Sequence, residues 1–221
     1  MIAVLPLALL YAVGVARVRR WLWWRSAAFG LGLATLAIAL ELPDAALASH
    51  MTQHLLLTAV AAPLLVLGAP HVLALRSLHG EARAALARLL DRHGPASPFV
   101  TFPIFATVML GTHLTPFFDY ANRHPLAHGV EHALLLASSI LFWVPVLAAA
   151  PARRLGPLGR VGYLFAGTAP MGAIGVAFGG EAGAIMWVGG GYALLVAVLA
   201  AVWAALVAEE RRQRARETYQ R

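Results

Sequence analysis

Residues His50–Gly68 read HMTQHLLLTAVAAPLLVLG, a polar opening with two histidines followed by an apolar run. A stretch of this length without Asp, Glu, Lys or Arg approaches the roughly 20 residues that carry an α-helix across a bilayer core. The rest of the chain has the same character. Of its 221 residues 60% are hydrophobic and 12% are charged, with a mean hydropathy of +0.73. A soluble domain carries about 25% charged residues. Seven apolar stretches are legible, over 1–16, 26–42, 50–68, 99–113, 126–150, 161–178 and 182–208. The first and fourth are short for a span. The first also lacks a basic n-region, and its positive charge follows it, which separates it from a secretory signal peptide. Only helices or closed barrels satisfy backbone polar groups in lipid. The expected fold class is therefore all-α: a polytopic transmembrane helix bundle of about seven spans. It fills residues 1–208, with an Arg-rich tail over 209–221.

Arginine sets the orientation. All 17 basic residues are Arg. Four (Arg17, Arg19, Arg20, Arg25) lie between stretches one and two. Four more (Arg76, Arg83, Arg88, Arg92) lie between three and four, and three (Arg153, Arg154, Arg160) between five and six. Arg211, Arg212, Arg214, Arg216 and Arg221 lie in the tail, and only Arg123 falls in a connection of the other parity. Basic residues concentrate on the cytoplasmic side of membrane proteins. The distribution therefore predicts an N-terminus outside and a C-terminus inside. The net charge of +7 is then a topology signal, with the lipid bilayer as its partner and no nucleic acid. Residues Glu81–Arg92 group Leu86, Leu89 and Leu90 apart from Arg83, Arg88 and Arg92, the pattern of an interfacial helix on the cytoplasmic side. The chain has no cysteine, which excludes disulfides and thiolate metal sites.

With that orientation the histidines separate by side. His71, His79 and His93 fall inside, where no role is assigned to them. His50, His54, His113, His124, His128 and His132 fall at the outer ends of their stretches, as do Asp119 and Glu131. Ionisable groups near membrane depth are costly to keep and mark functional sites. His50/His54 and His128/His132 are each four apart, so each pair shares one helix face, about 6 Å apart along the axis. Imidazole suits Cu, Zn, Fe and Ni, and Cu(II) heads the divalent affinity order. The expected metal ligands are His50, His54, His113, His128 and His132, on the outer, periplasmic side. Asp119 and Glu131 can ligate directly or orient an imidazole N–H. Met51 and Met186 are thioethers that would add a preference for Cu(I) if they faced the site. Ten glycines between Gly162 and Gly191 suit close helix approach in the last two spans, and Pro63 and Pro145 suit kinks in spans three and five. The metal reading leaves haem, zinc and copper open. A haem b redox carrier, a zinc-dependent membrane enzyme and a docking partner without metal are the competing classes. Di-iron sites prefer Glu-x-x-His helices, whereas Glu131 adjoins His132.

Three blocks resemble the multi-span CtaG-type cytochrome c oxidase assembly factors. The first is Ser49–Leu57 with Ala62–Pro70. The second runs from His113 through Pro116 and Asp119 to Pro125, His128, Glu131 and His132, then Leu141–Pro145. The third is Gly183–Val188. The resemblance covers about residues 48–206. It implies a membrane factor that helps assemble a haem-copper oxidase, a copper cofactor or cargo held by the five histidines, and oxidase subunits or other assembly factors as partners. It implies a metallochaperone without turnover of a small substrate. Family members carry Asp-Gln before the third block and Pro after its Trp-Val. Here Glu181-Ala182 and Gly189 stand there, so Glu181 is the substitute acid.

The orientation is open to direct test. Single cysteines replacing Asp44, Arg123 or Gly180 are expected to react with an impermeant thiol reagent added outside, and cysteines replacing Gly80, Gly156 or Gln220 are not. Protection at 123 together with labelling at 156 would invert the topology.

Overall fold

The structure is a computed structural model that describes residues 4–43, 46–92, 97–149 and 155–219. Asp44, His93, Arg153, Arg154, Gln220 and Arg221 lie outside the described residues, as do the side chains of Asp91 and Arg92. Every element among the described residues is helical. The order is α1 (Leu5–Arg17), α2 (Trp23–Glu41), α3 (Leu47–Leu55), a π-helical turn (Leu56–Ala61), α4 (Ala62–Leu67), α5 (Pro70–Ser77), α6 (Gly80–Arg92), α7 (Pro98–His113), α8 (Pro116–Ala121), α9 (Pro125–Leu147), α10 (Pro157–Phe178), α11 (Gly180–Ala184), a second π-helical turn (Ile185–Gly189) and α12 (Gly190–Tyr219). Helices α5, α7, α8, α9 and α10 each begin on a proline. Proline at the first helical position costs no hydrogen bond and presets φ.

Five helical stretches are long and apolar enough to cross a membrane: Trp23–Glu41, Leu47–Ser77, Pro125–Leu147, Pro157–Phe178 and Gly180–Thr218. The two expected spans that looked short are the 13-residue α1 and the 16-residue α7. The Glu81–Arg92 stretch is helical, within α6. The Arg-rich tail is not a separate coil: α12 continues through Arg211, Arg212, Arg214 and Arg216 as one helix.

The stretch His50–Gly68 is not a plain helix. Proline at 63 has no N–H to give and crowds the carbonyl four residues earlier. The chain responds just upstream with the π-helical turn Leu56–Ala61. Within it, the Thr58 carbonyl accepts a hydrogen bond from the Trp143 Nε1–H of α9 at 2.9 Å. That bond satisfies a backbone group that lipid would not, and ties α3–α4 to α9. At the other end Ala69 takes a left-handed φ of 51° before Pro70, which ends α4 and starts α5.

Packing organises around one large cluster and two smaller ones. The large cluster joins Met51, Phe105, Met109, Leu135, Phe142, Trp143, Leu164, Met171, Ile174, Met186 and Leu194, drawn from α3, α7, α9, α10 and the last helices. Tyr11, Phe29, Leu33, Leu65 and Leu73 join α1, α2, α4 and α5. Leu36, Ala39, Leu57 and Ala61 join α2 to the first π turn. In lipid these contacts hold by close packing rather than by excluding water. The expected glycine approach occurs where α10 meets α11. A Cβ on Gly175 would lie 2.8 Å from the Gly183 carbonyl oxygen and against Trp187, and a Cβ on Gly183 would strike the Gly175 carbonyl. Backbone, not a flexible side chain, is the obstacle. Gly183→Val is therefore expected to destabilise the detergent-solubilised protein by about 1–3 kcal/mol, seen as a lowered thermal midpoint, whereas Gly111→Ala, where a Cβ meets nothing, should leave it unchanged.

Candidate metal centre

Helices α3, α7 and α9 carry the histidines to one place. His50, His54, His113 and His132 are buried, and Glu131 and His54 have no exposed surface. The i,i+4 spacing does what it predicts: the rings of His50 and His54 lie 4.2 Å apart, as do those of His128 and His132. The two pairs then meet across the helix interface. His50 stacks on His128 at 5.0 Å, and His54 meets His132 edge-on at 5.1 Å. Between the pairs sits Glu131, whose Oε2 is 3.9 Å from His50 Nε2 and 4.0 Å from His54 Nε2.

Four residues, His50, His54, His128 and Glu131, each offer one ligand atom, and these atoms lie within 4.8 Å of one another. Zinc or copper bonds run near 2.0–2.2 Å, so opposite ligands stand about 4 Å apart. Side-chain shifts of several tenths of an ångström would close such a group on one ion. The donor set is three imidazoles and a carboxylate, and its chemistry fits a divalent first-row ion. Glu131, read from sequence as a supporting residue beside His132, stands among the converging atoms. Its signal was present but paired differently: Glu131 is three residues after His128, on the same helix face.

His113 stands differently. Its Nδ1 lies 2.8 Å from the Met109 carbonyl oxygen and 3.0 Å from Thr112 Oγ1, and its Nε2 lies 2.9 Å from His54 Nδ1. A carbonyl only accepts, and the Thr112 hydroxyl already donates to the Val108 carbonyl. The neutral His113 therefore carries its proton on Nδ1. Its Nε2 must then accept, so His54 donates from Nδ1 and keeps a bare Nε2. That nitrogen makes no hydrogen bond among the described residues and faces Glu131. The chain from Met109 through His113 fixes both the tautomer and the orientation of His54, which is how outer partners prepare an imidazole for a metal.

Four other polar residues, Asp119, Glu181, His124 and His71, are not among the four whose ligand atoms converge. Asp119 is exposed on α8 and lines a cavity of about 280 Å³ with His113, Thr115, Phe118, Ala177 and Phe178. Phe118, in the wall of that cavity, packs against both His50 and His113. Met51 and Met186 are fully buried in the main apolar cluster. Glu181 is exposed in the first turn of α11. His124 is exposed, its Nδ1 donating to the Tyr120 carbonyl. His71 bonds the Ala149 carbonyl at 2.9 Å, away from the group.

The cytochrome c oxidase caa3 assembly factor (Caa3_CtaG) family profile matches residues 9–179. The chain belongs to this family. The match covers both histidine blocks, while the third block, Gly183–Val188, lies beyond it. Two mycobacterial relatives, uncharacterised proteins of Mycobacterium bovis and Mycobacterium tuberculosis, are each 34% identical over 182 residues. That similarity takes in 72% of this chain but 27% of each relative, so the chain spans about a quarter of the length of the curated relatives it matches. No solved structure matches.

The tautomer inference is measurable without metal. Nitrogen-15 spectra of the metal-free protein with labelled histidine should show His54 protonated at Nδ1. His113→Phe should erase that preference, and His113→Gln, which keeps an acceptor oxygen, should retain it. A parent His54 protonated at Nε2 would refute the chain of bonds.

Proposed function

We propose that this protein is a membrane-resident assembly factor that holds copper for a haem-copper cytochrome c oxidase, through a centre built from His50, His54, His128 and Glu131. The convergence of these four ligand atoms, three of them on buried side chains, carries the reading, and membership of an oxidase assembly family supplies its direction. His132 is the fifth donor, its ring 5.1 Å from that of His54. His113 acts through His54 as a positioning residue. Asp119, Glu181, Met51 and Met186 have no part in holding the ion. A histidine-rich, carboxylate-bearing donor set suits Cu(II), and it suits zinc nearly as well. Copper is cargo here, and no small substrate is turned over.

The proposal places the chain in a bacterial cytoplasmic membrane as a seven-span bundle, N-terminus outside and C-terminus inside. The short α1 and α7 complete the crossings. The metal centre then opens to the periplasmic side, and the oxidase or its other assembly factors dock there. The Arg count on the opposite side supports this placement. Residues 209–219 extend the last helix into the cytoplasm.

Metal content of the purified protein tests the reading. The parent should retain about one copper per chain. His50→Ala, His54→Ala and His128→Ala should each abolish retention, and Glu131→Gln should reduce it. His113→Phe should weaken binding about 10–100-fold, the usual cost of losing a residue that orients a ligand. His71→Ala should change nothing. Retention should fall as pH is lowered, because a protonated imidazole has no lone pair to offer. In cells the ligand variants should leave the oxidase copper-deficient while the chain still inserts. A His54→Ala/His128→Ala double variant that keeps parental copper and full oxidase activity would remove the metal reading and leave a docking surface without metal. A strong visible absorption band in the isolated parent would assign the histidines to haem instead.

A further inference from the structure

The opposite end of the bundle carries a second constellation, independent of the histidines. Arg76 lies 22 residues after His54, near the other end of the stretch Leu47–Ser77. Arg76 is in the last turn of α5, and Arg25 is in the first turn of α2. Both guanidiniums lie over the same indole: Arg25 Cζ is 5.2 Å and Arg76 Cζ is 5.9 Å from the Trp21 ring centroid. Arg25 is also 5.4 Å from the Trp24 ring.

The indole beneath them is held rigidly. Trp21 Nε1–H donates to Tyr11 Oη at 3.1 Å, and Tyr11 donates to the Gly68 carbonyl at 2.9 Å. Tyr11 stacks on Phe29 with 3.9 Å between centroids, inside the second apolar cluster. Three helices thus fix the platform on which two cations converge. Cation–π attraction offsets only part of the cost of placing two like charges together. No carboxylate among the described residues pairs with Arg25 or Arg76, and the half-buried Arg25 Nε has no hydrogen-bond partner among them. A partly desolvated cation calls for an anion. Guanidinium forks match phosphate oxygens two at a time. Trp23, 79% exposed, and the exposed Leu22 stand beside the pair, as aromatic and apolar residues stand at the headgroup level of a membrane interface.

We propose that Arg25 and Arg76, seated on Trp21, form a binding site for the phosphate of one anionic phospholipid in the leaflet facing away from the metal centre. The two guanidiniums share the phosphodiester between them, and Leu22, Trp23 and Trp24 contact the glycerol and the upper acyl chain. The lipid supplies the counter-charge that α1, α2 and α5 lack, and it braces the corner where these helices meet.

The full chain is purified in detergent with a mixture of phosphatidylglycerol and phosphatidylcholine, and retained lipid is read by native mass spectrometry. The parent should hold one phosphatidylglycerol in preference to phosphatidylcholine. Arg25→Gln and Arg76→Gln should each lower that retention about tenfold or more, the scale of losing charge-assisted hydrogen bonds. Arg211→Gln, on the exposed end of α12, should not. Arg76 is exposed and makes no hydrogen bond to the fold among the described residues, so its variant decides the matter if Arg25→Gln does not fold. Equal retention in the parent and Arg76→Gln, or an equal loss in Arg211→Gln, overturns the site. Displacement of the lipid by inorganic phosphate at millimolar concentration overturns it as a lipid site and assigns it to a free anion. Copper content is scored in the same samples. The two outcomes are separate, since lipid retention involves none of the histidines.

Discussion

The fully buried carboxylate of Glu131, set among imidazoles, is the constraint around which the histidine end of the bundle is arranged. A carboxylate that loses water without compensation costs several kcal/mol or more. At membrane depth no solvent makes up the difference. The helices that bring His50 and His54 to within 3.9–4.0 Å of Glu131 cannot slide by one turn without stranding it. Register between α3 and α9 is thus set by polar chemistry, because apolar packing in lipid discriminates poorly between neighbouring registers.

Two backbone devices serve that register. The π-helical turn after His54 inserts an irregularity between the His50/His54 pair and Pro63, and the carbonyl of Thr58 within it is taken up by Trp143 of α9. Such turns inside α-helices are frequent at functional sites. The same helix pair therefore carries the histidine pairs at one end and a hydrogen-bonded clasp about one turn further in. On the far side, the Gly175–Gly183 approach lets the last helices pack closely against α10. It makes room for Trp187 where any side chain would collide with backbone.

The histidine group is a nested arrangement more than a ring of equal histidines. A main-chain carbonyl at Met109 sets His113, His113 sets His54, and His54 turns a bare nitrogen toward Glu131. Each step removes a choice of tautomer or rotamer, the preorganisation that a metal site would call for. At the opposite end, two arginines on a fixed indole present the reverse charge. The molecule is polarised along its helices, with imidazoles and a carboxylate at one end and guanidiniums at the other.

Composition and the apolar stretches were enough to determine a helical membrane protein, because lipid leaves the backbone few alternatives. They also located the five long spans, and the i,i+4 spacing put His50 beside His54 and His128 beside His132. The two blocks around His50/His54 and His128/His132 were enough to place the chain in its family. Three things were decided only by the tertiary structure. Glu131 stands among the ligand atoms because α9 turns it toward α3, and adjacency to His132 in sequence suggested a lesser part. His113 faces His54 and a main-chain carbonyl, since its neighbours depend on how α7 leans against α3. Met51 and Met186 are buried in the apolar core, and Asp119 is exposed on α8. Sequence spacing reports which residues share one helix face. Which faces meet, and which way a ring nitrogen points, depends on contacts between helices that no single helix encodes.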